Sequence, residues 1–274
     1  MDSLVFGVKK KVAMPDIGLG TWRIGGSFTP DSSHDVADIA AIKKAIGMGY
    51  RLIDTAEMYG GGHSEELVGI AAADSDVFIA TKVWQTNLRY DDLLSAARRS
   101  LKRLKRKHVD LYQIHWPSDD IPLRETMKAM EKLADDGVIT HIGVSNFGVE
   151  LLEDARSYLS RHDIFSDQVS YSVAHREPEN GLTEYCRKHG IGIIAYEPLA
   201  KGKVFEGRVG RVLAEASEMV ARTRSQVALN WLMCKHALPI PKSIDFNHLA
   251  ENFGASGWRL PAKVLKFIDD SLRQ

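Results

Sequence analysis

Residues 51–84 read RLIDTAEMYGGGHSEELVGIAAADSDVFIATKVW and contain one full unit of the pattern that decides the fold. Residues 51–54 form a short apolar run typical of a buried strand, and residues 65–73 carry apolar side chains at helical spacing. Residues 77–84 are again strand-like. A strand, a helix and a second strand in this order predict two parallel strands joined by a crossover helix.

The same alternation continues on both sides of this unit. Predicted strands begin at Ile17, Arg51, Val77, Val109, Ile139, Gln168, Ile191 and Leu238. Helical patterns lie at residues 36–48, 65–73, 91–104, 123–135, 150–160, 179–189, 212–222, 225–236, 247–253 and 261–272. Eight strand and helix units in about 250 residues predict an α/β protein built as a closed (β/α)8 TIM barrel.

We expect a single domain over residues 1–274, with an N-terminal β-hairpin at residues 4–12 and accessory helices beside the barrel. An open, doubly wound sheet is the structural alternative. Gly18 and Gly20 resemble the start of a dinucleotide-binding turn, but the third glycine of that motif is missing. The alternative is therefore disfavoured.

The charge balance and the cysteines limit the classes of partner. Lys and Arg number 36, as do Asp and Glu, so no general attraction to nucleic acid or to a membrane surface is expected. Cys186 and Cys234 lack the spacing of a disulfide framework or a zinc site. The first residues, MDSLVFGVKKKV, lack the apolar segment of a signal peptide. We expect a cytoplasmic protein, either a monomer or a weak dimer.

Titratable side chains follow three successive predicted strands. Asp54 ends one strand, Tyr59 lies in the loop after it, Lys82 ends the next strand 28 residues on, and His115 ends the third after a further 33 residues. These intervals are about one βα unit of ~30 residues, so the groups should meet at the carboxyl edge of the barrel, where barrel enzymes carry their active sites.

This set of groups suits the reduction of a carbonyl. We expect Asp54 to keep Lys82 charged, and the ammonium to lower the pKa of Tyr59 toward working pH. The phenol could then donate a proton to a developing alkoxide that His115 also contacts. Each residue alone has an ordinary structural interpretation. Two functional alternatives stay open: a Schiff-base aldolase that uses Lys82, and a regulatory subunit that binds a nicotinamide cofactor as a redox sensor.

Seven motifs carry a family resemblance along almost the whole chain. They are GLGTW (18–22), DTAEMYG (54–60), TKVW (81–84), DLYQIHWP (110–117), IGVSNF (142–147), AYEPLAKG (195–202) and IPKS (240–243). The chain in these places resembles the aldo-keto reductases. The resemblance implies an NADPH-dependent reductase of small aldehydes or ketones, with Asp54, Tyr59, Lys82 and His115 as its catalytic tetrad and no metal. Hydride would pass from the nicotinamide to the carbonyl carbon while Tyr59 protonates the oxygen.

The resemblance also implies a set of cofactor-binding residues. The nicotinamide would stack on Tyr196, and Ser145, Asn146 and Gln168 would hold its carboxamide. The implied set is Thr21, Trp22, Ser145, Asn146, Gln168, Tyr196, Pro198, Leu199, Lys201, Gly202, Lys242, Ser243, His248, Glu251 and Asn252.

The chain departs from the family pattern at two places. His248 stands where the family carries an arginine for the 2′-phosphate, so NADH is a possible cofactor beside NADPH. The segments after Pro117 and Trp258, where the family has long substrate loops, are short. We expect an open pocket whose wall comes mainly from Trp22, Trp84 and Trp116.

Overall fold

The structure is a computed structural model that describes residues 4–8 and 10–273. Within these residues the strands are β1 (Leu4–Phe6), β2 (Val12–Met14), β3 (Leu19–Gly20), β4 (Leu52–Asp54), β5 (Phe78–Val83), β6 (Val109–Ile114), β7 (Ile139–Ser145), β8 (Ile164–Ser170), β9 (Gly192–Tyr196) and β10 (Ala237–Pro239). The α-helices are α1 (Asp35–Met48), α2 (His63–Ala71), α3 (Tyr90–Leu104), α4 (Leu123–Asp135), α5 (Val149–Ser157), α6 (Leu182–His189), α7 (Gly207–Val220), α8 (Arg224–Cys234), α9 (Phe246–Phe253) and α10 (Ala262–Ser271). In the described part of the chain, every helix is too short or too polar to cross a bilayer.

Strands β3 to β10 form one sheet in which each strand is parallel to the next in sequence order. The first and last strands also meet, because Gly18 N donates to Pro239 O at 3.0 Å and Gly20 N donates to Pro241 O at 3.2 Å. A Cβ atom on Gly20 would lie 2.8 Å from Ile240 O, so only glycine allows this approach. The predicted (β/α)8 barrel is confirmed.

The predicted N-terminal hairpin is also confirmed, as the antiparallel pair of β1 and β2. Residues 1–3, 9 and 274, which the sequence predictions included, lie outside the described part of the chain. Phe6 packs edge-on against Phe165, with ring centroids 5.7 Å apart, and Gly7 N donates to Gly190 O at 2.9 Å. The hairpin therefore covers the end of the barrel opposite the predicted site.

The barrel interior changes from apolar to polar along the strands. A small buried cluster that includes Leu52, Ala80 and Leu111 packs with the hairpin. Side chains alternate between the two faces of a strand, so the residues two positions further on point into the same interior. These residues are Asp54, Lys82 and Gln113, and all three are buried. The interior therefore has a polar layer directly below the carboxyl ends of the strands.

One strand boundary was predicted wrongly. Strand β8 begins at Ile164, so Gln168 lies in its carboxyl half and not at its start. The polar run Ser166, Asp167 and Gln168 hid the strand in the sequence, although all three residues are buried. The pairing register also shifts here: Ile142 pairs with Ile164 but Gly143 pairs with Ser166, which leaves one extra residue in β8. The polar residues and the bulge interrupt the apolar run on which the prediction depended.

Candidate active site

A cavity of about 570 Å³ opens at the carboxyl ends of the barrel strands. It lies directly above the polar layer, and Asp54, Tyr59 and His115 reach it from the barrel side. The full lining is Gly20, Thr21, Trp22, Phe28, Asp54, Met58, Tyr59, Trp84, His115, Trp116, Ser145, Asn146, Gln168, Tyr196, Glu197, Pro198, Leu199, Lys201, Ile240, Pro241 and Lys242.

A tight turn after β4 carries Tyr59 into the cavity. Residues Tyr59–Gly62 form a 3₁₀ turn in which Gly60 and Gly61 have φ values of 57° and 59°. These left-handed values favour glycine. Gly60 N donates to Ser27 O at 2.7 Å, and a Cβ atom on Gly60 would lie 2.2 Å from Gly25 O. The glycines thus let the turn dock on the neighbouring loop, and this contact fixes the position of the phenol.

Lys82 and Asp54 form a buried ion pair beside the phenol. Lys82 Nζ donates to Asp54 Oδ2 at 2.6 Å, to Thr55 O at 2.9 Å and to Tyr59 Oη at 3.4 Å. Burial alone would lower the pKa of Lys82, but the charges and hydrogen bonds of Asp54 and Tyr59 raise it overall. The ammonium therefore stays charged within hydrogen-bond reach of the phenol.

The sequence predicted a lowered pKa for Tyr59, and this direction was wrong. Burial raises the pKa of Tyr59 above its ordinary value, and the nearby charge of Lys82 offsets this only in part. The charge of Asp54 adds to the increase. The sequence showed the neighbouring charges but not the depth of burial. The phenol consequently stays protonated and available as a proton donor.

His115 is a neutral side chain at the same place. Burial, with the charge of Lys82 as a second cause, lowers the pKa of His115 to about 2. Its ring centroid lies 5.6 Å from that of Tyr59 and 5.2 Å from that of Trp84. The structure thus brings the predicted Asp54, Tyr59, Lys82 and His115 together, with His115 able to hydrogen-bond as an uncharged imidazole.

Amide and hydroxyl groups line one side of the cavity. Ser145 Oγ donates to Gln168 O at 2.7 Å, and Asn146 Nδ2 donates to Ser145 Oγ at 2.9 Å. Tyr196 donates its hydroxyl proton to Asn146 Oδ1 at 2.9 Å, which fixes the plane of its ring. Gln168 Nε2 donates to Asp54 Oδ1 at 2.8 Å. Ser145, Asn146, Gln168 and Tyr196 all belong to the predicted cofactor set.

A strained loop follows Tyr196. Glu197, Ala200 and Lys201 have φ values of 50°, 46° and 54°, which non-glycine residues seldom adopt. Lys201 Nζ lies 2.6 Å from Glu197 Oε1 across this loop. Three residues of the predicted cofactor set, Pro198, Leu199 and Lys201, line the cavity, whereas Gly202 is not among its lining residues.

Two further predicted positions lie beside the first barrel strand. Thr21 donates through its hydroxyl and its backbone N–H to Asp54 O, both at 3.0 Å, so it anchors the strand end that carries Asp54. Lys242 lines the cavity close to Arg23, and loss of hydration lowers its pKa. Lys201 and Lys242 are the lysines that line the cavity, and Lys201 is paired there with Glu197.

The remaining predicted cofactor residues lie beyond the cavity. Ser243 Oγ accepts from Asp245 N at 3.1 Å, just before α9. His248 is in the first turn of α9 with its side chain 71% exposed, and its Nδ1 lies 4.0 Å from Asp245 Oδ1. Glu251 and Asn252 follow in α9, where Glu251 O accepts from Gln226 Nε2 at 3.2 Å. The structure thus places these four residues in one segment that continues from Lys242.

The apolar wall is larger than the sequence indicated. Trp22, Trp84 and Trp116 all line the cavity, and Trp116 is 41% exposed at its edge. Met58 and Phe28 also line it, and the Phe28 ring packs edge-on against Trp22 at 5.5 Å while remaining 67% exposed. Phe28 was missed because it lies in a polar loop after β3. The only signal in the sequence was the aromatic character of Phe28 itself, two positions after Gly26.

The side chains around the cavity fit a nicotinamide dinucleotide. Amide and hydroxyl groups suit a carboxamide, the Tyr196 ring offers a stacking surface, and lysines suit phosphate oxygens. In the described residues no group of three or more His, Cys, Asp or Glu side chains could hold a metal ion.

Comparison with known proteins supports a nicotinamide cofactor as well. The profile of the Aldo/keto reductase family matches residues 16–273. The chain is 33% identical over 264 residues to methylglyoxal reductase DkgB of Escherichia coli O157:H7, covering 94% of this chain and 92% of that protein. It is 34% identical over 264 residues to glyoxal reductase of Bacillus subtilis, covering 94% and 89% of the two chains.

Solved structures of similar proteins share the fold. The thermostable aldo-keto reductase Tm1743, solved with the inhibitor epalrestat, superposes with a TM-score of 0.93 at 44% identity, covering 99% of this chain and 100% of that one. An aldo/keto reductase from Klebsiella pneumoniae in complex with NADP and acetate gives a TM-score of 0.86 at 32% identity, covering 98% and 94%. The chain belongs to the aldo-keto reductase family and is an NAD(P)H-dependent oxidoreductase that acts on carbonyl groups.

Proposed function

We propose that this protein reduces small aldehydes or ketones to alcohols with NADPH, and that Tyr59 is its general acid. The observation that carries the proposal is the position of the Tyr59 hydroxyl, which lies at the cavity and 3.4 Å from the ammonium of Lys82. A protonated phenol beside a fixed positive charge can release its proton, because the charge stabilises the phenolate left behind.

In this proposal the bound nicotinamide supplies the hydride for the carbonyl carbon. Tyr59 donates a proton to the carbonyl oxygen, and neutral His115 hydrogen-bonds that oxygen and orients it. Lys82 stabilises the phenolate, and Asp54 holds Lys82 in place without contacting substrate. The water-poor surroundings of the ion pair strengthen these electrostatic effects.

For the cofactor we propose contacts along one continuous path. Thr21, Trp22, Ser145, Asn146, Gln168 and Tyr196 would hold the nicotinamide end, and the segment from Pro198 to Gly202 with Lys242 would hold the pyrophosphate. Ser243, His248, Glu251 and Asn252 would surround the adenosine. We propose NADPH as the preferred cofactor. Discrimination against NADH should be weaker than with an arginine at position 248, because His248 lacks the bidentate geometry of an arginine and lies near Asp245.

For the substrate we propose small, uncharged aldehydes, dicarbonyl compounds included. Two relatives are a methylglyoxal reductase and a glyoxal reductase. The wall of the cavity is apolar and offers few polar groups to a substrate; it is formed by Trp22, Trp84, Trp116, Met58 and Phe28.

A turnover assay tests the proposal. Purified protein should consume NADPH when methylglyoxal, glyoxal or another activated aldehyde is added, and the matching alcohol should form in equal amount. No NADPH consumption with any aldehyde in the panel would refute it. The aldolase alternative predicts a covalent adduct at Lys82 after borohydride treatment. We expect none, because Lys82 is fully buried and its raised pKa keeps the amine charged.

A further inference from the structure

Gln113 occupies the barrel interior directly below the cavity. It lies in β6, and its neighbours in register are Lys82 on β5 and Gly143 on β7. The side chain is fully buried and is not among the residues that line the cavity. It therefore belongs to the polar layer that supports the site and does not contact a ligand.

The neighbouring strand is shaped to admit this side chain. A Cβ atom on Gly143 would lie 2.7 Å from Gln113 Cγ and 2.8 Å from Leu111 Cδ1. No residue larger than glycine fits there without a shift of the barrel interior. The space that β7 leaves is filled by the Cγ methylene of Gln113 and the Cδ1 methyl of Leu111.

The amide of Gln113 points at the carboxylate of the ion pair. Gln113 Nε2 lies 3.4 Å from Asp54 Oδ1, the oxygen that also accepts from Gln168 Nε2 at 2.8 Å. Asp54 Oδ2 accepts from Lys82 at 2.6 Å. Donors on both oxygens fix the orientation of the carboxylate.

The two amides on Oδ1 differ in what else they can contact. Gln168 lines the cavity, and in the proposed function its amide also faces the cofactor. Gln113 does not line the cavity, so its donor is directed at Asp54 and not at a ligand. We propose that Gln113 is a positioning residue that keeps the Asp54 carboxylate aligned with Lys82, and through Lys82 keeps Tyr59 competent as the acid. This inference rests on the proposed function.

Three variants test the role. Gln113→Leu keeps the volume and removes the amide. Gln113→Glu offers a donor only while its carboxyl group is protonated. Ser166→Ala is the matched control, because Ser166 Oγ is buried in the same interior and makes no hydrogen bond within the described residues. For each protein we would measure kcat, KM and their pH profiles with methylglyoxal and NADPH, NADPH affinity by fluorescence, and thermal unfolding.

We expect Gln113→Leu to lower kcat about tenfold, the size of one hydrogen bond to a charged group. NADPH affinity should change less than twofold, and Ser166→Ala should match wild type. Gln113→Glu should keep activity at acidic pH and lose it as pH rises, because a second carboxylate then faces Asp54.

An unchanged kcat profile in folded Gln113→Leu would overturn the inference. If that variant does not fold, the Gln113→Glu profile decides, and a profile parallel to wild type would overturn it. A wild-type protein without any turnover would instead refute the proposed function, so the two failures are distinguishable.

Discussion

Lys82 Nζ lies 2.6 Å from Asp54 Oδ2, and both side chains are shielded from solvent at the inner end of the cavity. A charge pair in such a place is costly to desolvate, and removing one partner leaves the other uncompensated. The position of this pair, next to the Tyr59 hydroxyl, links the stability of the barrel interior to the chemistry proposed for the site.

The first prediction concerns this pair. Lys82→Met should lower the free energy of unfolding by about 3–5 kcal/mol, because Asp54 is left buried and unpaired. It should also lower kcat by about 10²-fold or more, because the phenolate loses its counter-charge. Urea titration and turnover assays measure the two effects. In the double variant Asp54→Asn/Lys82→Met the stability should largely recover while kcat stays low. A double variant that regained activity would contradict the role assigned to the pair.

A second buried ion pair joins helices α2 and α3. Arg103 Nε donates to Oε2 of the fully buried Glu65 at 2.6 Å. Arg103 Nη2 also lies 4.0 Å from Oε2 of Glu57, whose Oε1 accepts from Trp84 N at 2.7 Å. Arg103→Met should therefore destabilise the fold by about 3–5 kcal/mol, because Glu65 is left without its cation. Adding Glu65→Gln should restore most of that stability.

The control for this prediction is Lys132, whose pair with Asp136 is exposed on α4. Lys132→Met should leave the urea midpoint unchanged. Equal urea midpoints for Arg103→Met and Lys132→Met would show that the buried pair contributes nothing.

The third prediction is a pH dependence of stability that comes from His115. Its pKa is about 2 in the folded protein, against about 6.5 when unfolded. Because the folded pKa is depressed, the contribution to stability is present above pH 6.5 and is lost as pH falls. The slope reaches at most about 1.4 kcal/mol per pH unit. The unfolding free energy of wild type should thus fall more steeply than that of His115→Asn below about pH 6. Parallel slopes for the two proteins would contradict a buried, neutral His115.

The fourth prediction concerns the adenosine end. His248→Arg should tighten NADPH binding about tenfold, because a guanidinium can bind the 2′-phosphate through two charge-assisted hydrogen bonds. NADH affinity should not change. Asn247→Arg adds the same charge on the adjacent exposed position of α9 and should have a smaller effect. Equal NADPH affinity in wild type and His248→Arg would show that the adenosine lies elsewhere.

The sequence alone located Asp54, Lys82 and His115 near one another because parallel βα units repeat at nearly constant length. This spacing places successive strand ends side by side without any knowledge of packing. Tyr59 could be added because it lies five residues after Asp54, in the turn that the Gly60 and Gly61 backbone allows.

Features that depend on packing were not readable in the sequence. The start of β8 was misplaced because buried polar residues and a bulge break the hydropathy pattern. The shift in the pKa of Tyr59 had the wrong expected sign because burial outweighs the charge of Lys82. Phe28 reaches the cavity only through the docking of its loop on the Tyr59 turn, which is a tertiary contact.

Tyr59→Phe is the most direct test of Tyr59 as the proton donor. The substitution removes one hydroxyl group and keeps the ring that packs against Trp22 at 5.0 Å. We predict unchanged NADPH affinity by fluorescence, an unchanged unfolding midpoint, and a fall in kcat for methylglyoxal reduction of about 10²- to 10⁴-fold. Reduction at the wild-type rate by the folded, NADPH-binding Tyr59→Phe protein would contradict the account.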